Sequence, residues 1–168
     1  MLILLLTNGS AVGFHQLVEG LSVFGDEVVV SHEAPSLAGV KAVQPDWIIS
    51  DRNEHLISSD VIDFMQKRVV NSHASLLPRH RGWQPIFFSC WNQDDVGISI
   101  HLVDSGLDTG PIVHQTQLRV QATDTLRSLY ARARFAILQG FVELMPYLRA
   151  NNLQGRTQPL DSGSFHSK

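Results

Sequence analysis

Leu2-Ile3-Leu4-Leu5-Leu6, followed by Thr7-Asn8-Gly9-Ser10, is the stretch that decides the fold. Five successive apolar residues read as a strand covered on both faces, as in the centre of a parallel sheet. Thr7–Ser10 then supplies turn and N-cap residues. Val12, Leu17, Leu21 and Val23 suggest a helix running to about Phe24. Gly25-Asp26 turns the chain into a second strand, Glu27–Ser31, and residues 32–44 form a connection without a strong pattern. Pro45-Asp46 leads into a third apolar strand, Trp47-Ile48-Ile49-Ser50. A helix at about Ser59–Gln66, capped by Ser59-Asp60, precedes a fourth strand, Arg68–Asn71. Strands alternating with short helices predict an α/β fold: a Rossmann-like, mostly parallel sheet with flanking helices.

Downstream the pattern changes. Residues 83–92 read as a helix introduced by Arg81-Gly82, with Trp91 assigned to the core. Gly97–Val103 sets Ile98, Ile100 and Leu102 against Ser99 and His101, the alternation of a half-buried strand. A turn-rich loop, Asp104–Gly110, separates it from a strand at Ile112–Val120, so this pair is expected to add a hairpin to the parallel strands. Thr123-Asp124 caps the longest helix, whose stripe is Leu126, Leu129, Tyr130, Ala133, Ile137, Phe141, Leu144 and Leu148. Arg127, Arg132 and Arg134 lie mostly off that stripe, and Gly140 allows close approach to a neighbour. Asn151 onward reads as a polar tail.

At 168 residues the chain is expected to form one catalytic domain with a single substantial core. Apolar residues at 43% and charged residues at 17% describe a soluble globular protein. The net charge of −3 and pI near 6.2 give nucleic acid no general attraction, although Arg79, His80 and Arg81 form a local basic patch. Cys90 is the one cysteine, so neither a disulfide framework nor a thiolate metal cluster is expected. The apolar start lacks the positive n-region of a signal peptide, and no run approaches the ~20 apolar residues of a membrane span. The expected setting is cytoplasmic.

The chemistry concentrates in Asn71-Ser72-His73-Ala74-Ser75-Leu76-Leu77-Pro78-Arg79-His80-Arg81-Gly82 and in Leu107-Asp108-Thr109-Gly110-Pro111. Ligands of open α/β sheets sit at the carboxyl ends of strands, where Asn71 and His73 fall. An amide, an imidazole and a separated carboxylate fit acyl transfer to an amine. Asn71 can hold a developing oxyanion, His73 can shuttle or stabilise charge, and Asp108 can orient the imidazole or take the proton. Taken singly the residues are ordinary: Asn71 reads as a loop cap and His73 as one loop histidine among eight. His73, His101 and Asp108 offer two imidazoles and a carboxylate, but in no short ligand spacing, so no metal is expected.

On these two motifs the chain resembles the formyltransferase family that uses 10-formyltetrahydrofolate. That family's pattern runs Asn-apolar-His-x-Ser-Leu-Leu-Pro, then Arg-Gly, then Leu-Asp-x-Gly-Pro or Leu-Asp-x-Gly-Asp. The resemblance covers about residues 45–150. It departs at Ser72, where an apolar side chain is usual, and at residues 32–44, which look too short for the usual crossover helix. The resemblance implies Asn71, His73 and Asp108 as catalytic residues. It places 10-formyltetrahydrofolate, the formyl donor, against Ser50, Asp51, Arg52, Leu56, Ile57, His101, Asp104 and Gly106. The acceptor would lie against Asn8, Ser75, Arg81, Gly82 and Trp83.

Four branches of that family offer different acceptors. Methionyl-tRNA formyltransferases share Arg81-Gly82-x-x-Pro85-Ile86 but carry a further RNA-binding domain and usually lack a histidine at position 101. Glycinamide ribonucleotide formyltransferases have a phosphate loop that Thr7–Ser10 matches only in part. Formyltetrahydrofolate hydrolases are expected to have an extra regulatory domain. The branch that formylates nucleotide-linked amino sugars fits best, because Gly163-Ser164-Phe165-His166-Ser167-Lys168 matches its tail. A small nucleotide-linked amine is therefore the expected partner, with a homodimer compatible and nucleic acid disfavoured. A carrier-bound amino acid, or a folate-binding module without turnover, are the other readings.

Overall fold

A computed structural model describes residues 1–9, 14–23 and 25–168. Six strands form the main sheet: β1 (Leu2–Leu6), β2 (Glu27–Ser31), β3 (Trp47–Asp51), β4 (Val69–His73), β6 (Val96–Leu102) and β7 (Ile112–Leu118). Their order is β2-β1-β3-β4-β6-β7. The first four pair in parallel, whereas β6 runs antiparallel to β4 and β7 antiparallel to β6. The expected α/β architecture, with its added hairpin, is what forms.

Burial explains the sequence pattern. Ile3, Leu5, Leu6, Ile48 and Ile49 are fully enclosed because helices cover both faces. One core joins Ile3, Leu5, Ile49, Ile98 and Ile100 to α1 (Phe14–Ser22), α4 (Pro85–Trp91) and α5 (Leu126–Arg149). The smaller core on the other face joins Leu4, Leu6, Ile48 and Val69 to α2 (Leu37–Val43) and α3 (Ser59–Phe64). Val12, Ser10 and Phe24, used above to place the first helix, lie outside the described residues.

The long helix is as expected in length and stripe, with one change at its start. Thr125 is the N-cap and exchanges hydrogen bonds with Ser128 in a capping box, while Asp124 accepts from the Ser128 hydroxyl at 2.7 Å. Leu126 and Tyr130, at the exposed edge, leave the buried stripe to Leu129, Ala133, Ile137, Phe141 and Leu144. Gly140 has no room for a side chain: a Cβ there would meet the His114 ring and Ile100 at 2.8–2.9 Å.

Three expectations are corrected. Residues 32–44 do contain the crossover helix. It is α2, capped by the Ser36 hydroxyl accepting from Gly39 at 3.1 Å, and only Val40 on it is buried, too little to leave a helical stripe in the sequence. Trp91 is 73% exposed and stacks on Phe87 at the surface rather than entering the core. The tail after Asn151 is docked. Arg156 bridges Ile112, residues 160–162 form a 3-10 turn, and β8 (Phe165–His166) pairs in parallel with β5 (Arg81–Gly82).

Candidate active site

The strand register assembles the site. Ser50 on β3 lies beside Asn71 on β4, and Asn71 lies beside His101 on β6, so three adjacent strands place these residues in one row. The β6–β7 pairing shifts register between Ile100 and His101, the kind of irregularity that re-aims a side chain. The Ser50 hydroxyl donates to Asn71 Oδ1 at 2.8 Å. His101 Nδ1 donates to the Leu102 carbonyl at 2.8 Å, which leaves Nε2 free to accept from Asn71 Nδ2 at 3.1 Å. Both ends of the amide are thereby oriented.

The loop after β6 brings Asp108 onto this row. Asp108 is buried and has φ +54°, in the left-handed region. Its Oδ2 accepts the Gly82 amide at 2.9 Å and lies 3.5 Å from His73 Nδ1. Its Oδ1 lies 3.4 Å from both His101 Nε2 and Asn71 Nδ2. Burial alone would raise its carboxyl. The protonated His73 and His101 imidazoles, present at the low pH where the carboxyl titrates, and the Gly82 amide outweigh that and hold Asp108 well below the usual carboxylate range.

His73 closes the group. It is buried at the end of β4, and its Nε2 donates to the His80 carbonyl at 2.8 Å. Burial pulls it below the ordinary histidine range, against the opposing pull of Asp108 and the His80 carbonyl. A neutral ring can donate to only one of those two acceptors, so the imidazolium is the form that satisfies both. The ring therefore rests neutral in a pocket shaped for its cation.

Other expected site residues fall into two groups. Gly82 joins the site through its amide, and Arg81, half-buried, has an Nε without a hydrogen-bond partner. Trp83 is 41% exposed, with the Lys168 ammonium 4.6 Å above its ring. Asn8 Nδ2 donates to Glu54 at 3.3 Å. Arg52 and Leu56 are exposed on the loop following β3, and Ile57 packs against the smaller core. The remainder have structural partners instead. Asp51 is 1% exposed and makes two hydrogen bonds to Arg134 of α5, at 2.6 and 2.7 Å, while accepting from Ser72 at 2.5 Å. Ser72 thus faces away from Asn71 and serves the same ion pair. Ser75 is fully buried and donates to the Arg79 carbonyl at 2.6 Å. Asp104 braces its own loop through Gly106 and Thr109.

The local basic patch is partly offset by Asp94. Asp94 takes Arg79 at 2.7 Å and His80 at 3.0 Å, and His80 is 1% exposed. Sequence reasoning also missed Gln158, whose Nε2 donates to the carbonyls of Asp108 and Gly110 at 3.0 and 2.6 Å. The one advance signal was the tail match at Gly163–Lys168.

Residues 29–145 match the formyl transferase family. PseJ of Anoxybacillus kamchatkensis, solved with UDP-4,6-dideoxy-4-formamido-L-AltNAc and tetrahydrofolate, is 32% identical with a TM-score of 0.89. That alignment covers 99% of this chain and 86% of PseJ. The Mycobacterium tuberculosis sugar N-formyltransferase candidate Rv3404c is 27% identical with a TM-score of 0.83, over 99% of this chain and 75% of that one. Among curated relatives, the methionyl-tRNA formyltransferase of Halorhodospira halophila is 30% identical over 150 residues, 89% of this chain and 47% of its own length. That of Idiomarina loihiensis is 29% identical over 160 residues, 95% of this chain and 50% of its own length. The chain thus spans about half the length of these two relatives. With the family pattern covering most of its sheet and both loops of the site, the chain belongs to the formyl transferase family.

Proposed function

We propose that the protein transfers the formyl group of 10-formyltetrahydrofolate to a primary amine, with Asn71, His73 and Asp108 as catalytic residues. The observation that carries this reading is the convergence of the three side chains at the carboxyl end of β4, around one buried carboxylate. The amine nitrogen bonds to the formyl carbon and the carbonyl pair moves onto oxygen. Asn71 Nδ2 meets that oxyanion with the hydrogen now held at 3.4 Å by Asp108, the longer and weaker of its two contacts. His73 lies between Asp108 and the His80 carbonyl, two acceptors that favour its cation, and carries the proton. It takes the proton from the attacking nitrogen as an imidazolium held by Asp108 and the His80 carbonyl. It then delivers the proton to the folate nitrogen as the carbon–nitrogen bond to folate breaks. Atoms and protons balance without a metal.

Arg52, Leu56 and Ile57, on the loop next to Ser50, offer a cationic and apolar surface suited to the donor's ring system. Ser50 and His101 position the amide and need not touch the donor. For the acceptor we favour the amino group of a nucleotide-linked amino sugar. Support comes from the likeness to PseJ, which was solved with such a product. The curated methionyl-tRNA relatives keep a tRNA-borne amine as the second reading. Half-buried Arg81 and exposed Trp83 are the acceptor contacts of choice.

The test is tetrahydrofolate release from 10-formyltetrahydrofolate with nucleotide-linked amino sugars, glycinamide ribonucleotide and charged initiator tRNA in parallel. Release driven by an amino sugar is expected. Release driven only by tRNA would move the acceptor to the second reading. Folate binding without release on any amine would remove the activity.

A further inference from the structure

The loop that touches both His73 and Asp108 is itself held by the last residues of the chain. His80 supplies the carbonyl that His73 needs, and Gly82 supplies the amide that Asp108 needs. Each of these groups lies on a backbone at positive φ, +55° and +86°. Glycine adopts positive φ freely, but the His80 backbone keeps its shape only if its surroundings hold it.

The surroundings are the C-terminal segment. The His80 amide donates to Ser164 Oγ at 2.8 Å, Arg81 N to the Ser164 carbonyl at 3.0 Å, and Trp83 N to the His166 carbonyl at 2.8 Å. The His166 ring lies flat on Phe88, with centroids 3.7 Å apart and 2° between planes. Its Nε2 is 3.1 Å from His80 Nδ1, and His80 Nε2 is 3.0 Å from Asp94. Because Asp94 accepts, His80 must donate from Nε2, which makes Nδ1 an acceptor and fixes His166 as the donor to it. Protonating His80 would put a second hydrogen against His166, and burial of His80 opposes that change. Gly82 makes the docking feasible, since a Cβ there would stand 2.3 Å from the His166 carbonyl.

We infer that His166 is a positioning residue for the transfer reaction: through the His166–His80–Asp94 relay it holds the His80 carbonyl and Gly82 amide in register with His73 and Asp108. This rests on the catalytic roles proposed above. His166 touches neither reacting group, so its effect falls on the rate of the chemical step rather than on binding. A misplacement of about 1 Å in such a constellation costs about 10²-fold.

Two substitutions separate the hydrogen bond from the packing. His166→Phe keeps a ring on Phe88 and the β5–β8 pairing but removes the donor to His80. His166→Gln loses the ring and keeps a donor near the Nε2 position. With the full-length protein, His166→Phe is expected to lower kcat roughly 10- to 100-fold. Its KM for donor and amine should stay within about threefold, its melting temperature should change little, and His166→Gln should recover most of the rate. Histidine ring nitrogen spectra give a second readout that does not need turnover. His166→Phe should shift His80 Nδ1 and, through the His80 carbonyl, His73 Nε2–H. A His166→Phe rate within twofold of wild type, a Gln variant as slow as the Phe variant, or a loss that tracks only the unfolded fraction would each overturn the inference. Should the wild-type protein release no folate with any amine, the functional reading fails on its own. The spectra then decide, and an undisturbed His73 signal in His166→Phe overturns the inference.

Discussion

Asp108→Asn tests the electrostatics of the site most directly. The substitution keeps an acceptor for the Gly82 amide but removes the charge that faces His73 at 3.5 Å. Unit charges at that separation interact by about 5 kcal/mol at an effective dielectric of about 20. His73 rests neutral, so the interaction counts only as the ring takes the proton. If half of it is realised there, about 2.5 kcal/mol is lost, which is roughly 70-fold in rate. The amide adds a second penalty. With its oxygen on Gly82, its nitrogen stands where Oδ1 was, 3.4 Å from the Asn71 amide nitrogen, so two donors face each other. The expected fall in kcat is therefore at least about 10²-fold, with KM for the donor little changed. Folate release at saturating donor and amine measures it, with thermal melts alongside to count folded protein. A variant within tenfold of wild type at equal folded fraction would refute both the proton-carrying role of His73 and the reason given for it.

Asn71→Ala should lower turnover by about 10²–10³-fold, the usual effect of removing an oxyanion donor, while leaving the fold intact; single-turnover folate release checks it. Arg134→Met strips a buried carboxylate of its partner and should cost about 3–5 kcal/mol in urea unfolding, while turnover per folded molecule stays within about threefold. The folded carboxyl of Asp108 lies below its unfolded value near 4, so its stabilisation is complete above about pH 4 and is lost as pH falls through the folded value. The stability gap between wild type and Asp108→Asn should then narrow as pH falls below about 4 in melts taken down to about pH 2. A gap that stays constant would contradict the depressed carboxyl.

What could be read in advance followed from periodicity and local motif. The apolar runs Leu2–Leu6, Val28–Val30 and Trp47–Ile49 announced the parallel strands, because covering both faces leaves no polar alternation. Ile98, Ile100 and Leu102 alternate with Ser99 and His101 as in a half-buried strand, yet β6 is buried on both faces, its polar side chains being taken up by hydrogen bonds. Asn71, His73 and Asp108 stood in motifs, so their meeting was foreseeable. The failures share a cause, which is partnership across long separations. Nothing local announced that Asp51 pairs with Arg134, 83 residues away. His80 looked like part of a cationic patch, and its neighbours Asp94 and His166 made it a buried neutral link. Helix α2 was missed because one buried side chain leaves no stripe. The tail carried a recognisable string without any local hint that its backbone completes a two-stranded ribbon.

That ribbon makes heat inactivation and melting separate events. Ser50, Asn71 and His101 sit on interior strands whose opening requires the whole sheet to come apart. The ribbon is only two residues long on each side, with Phe165 exposed. Segments held so lightly open at a small fraction of the global unfolding free energy. Warming should therefore peel residues 163–168 away first, releasing the His80 carbonyl and the Gly82 amide while the strands stay paired. The temperature at which half the activity is gone then lies below the one at which half the secondary structure is gone, and the first loss reverses on cooling.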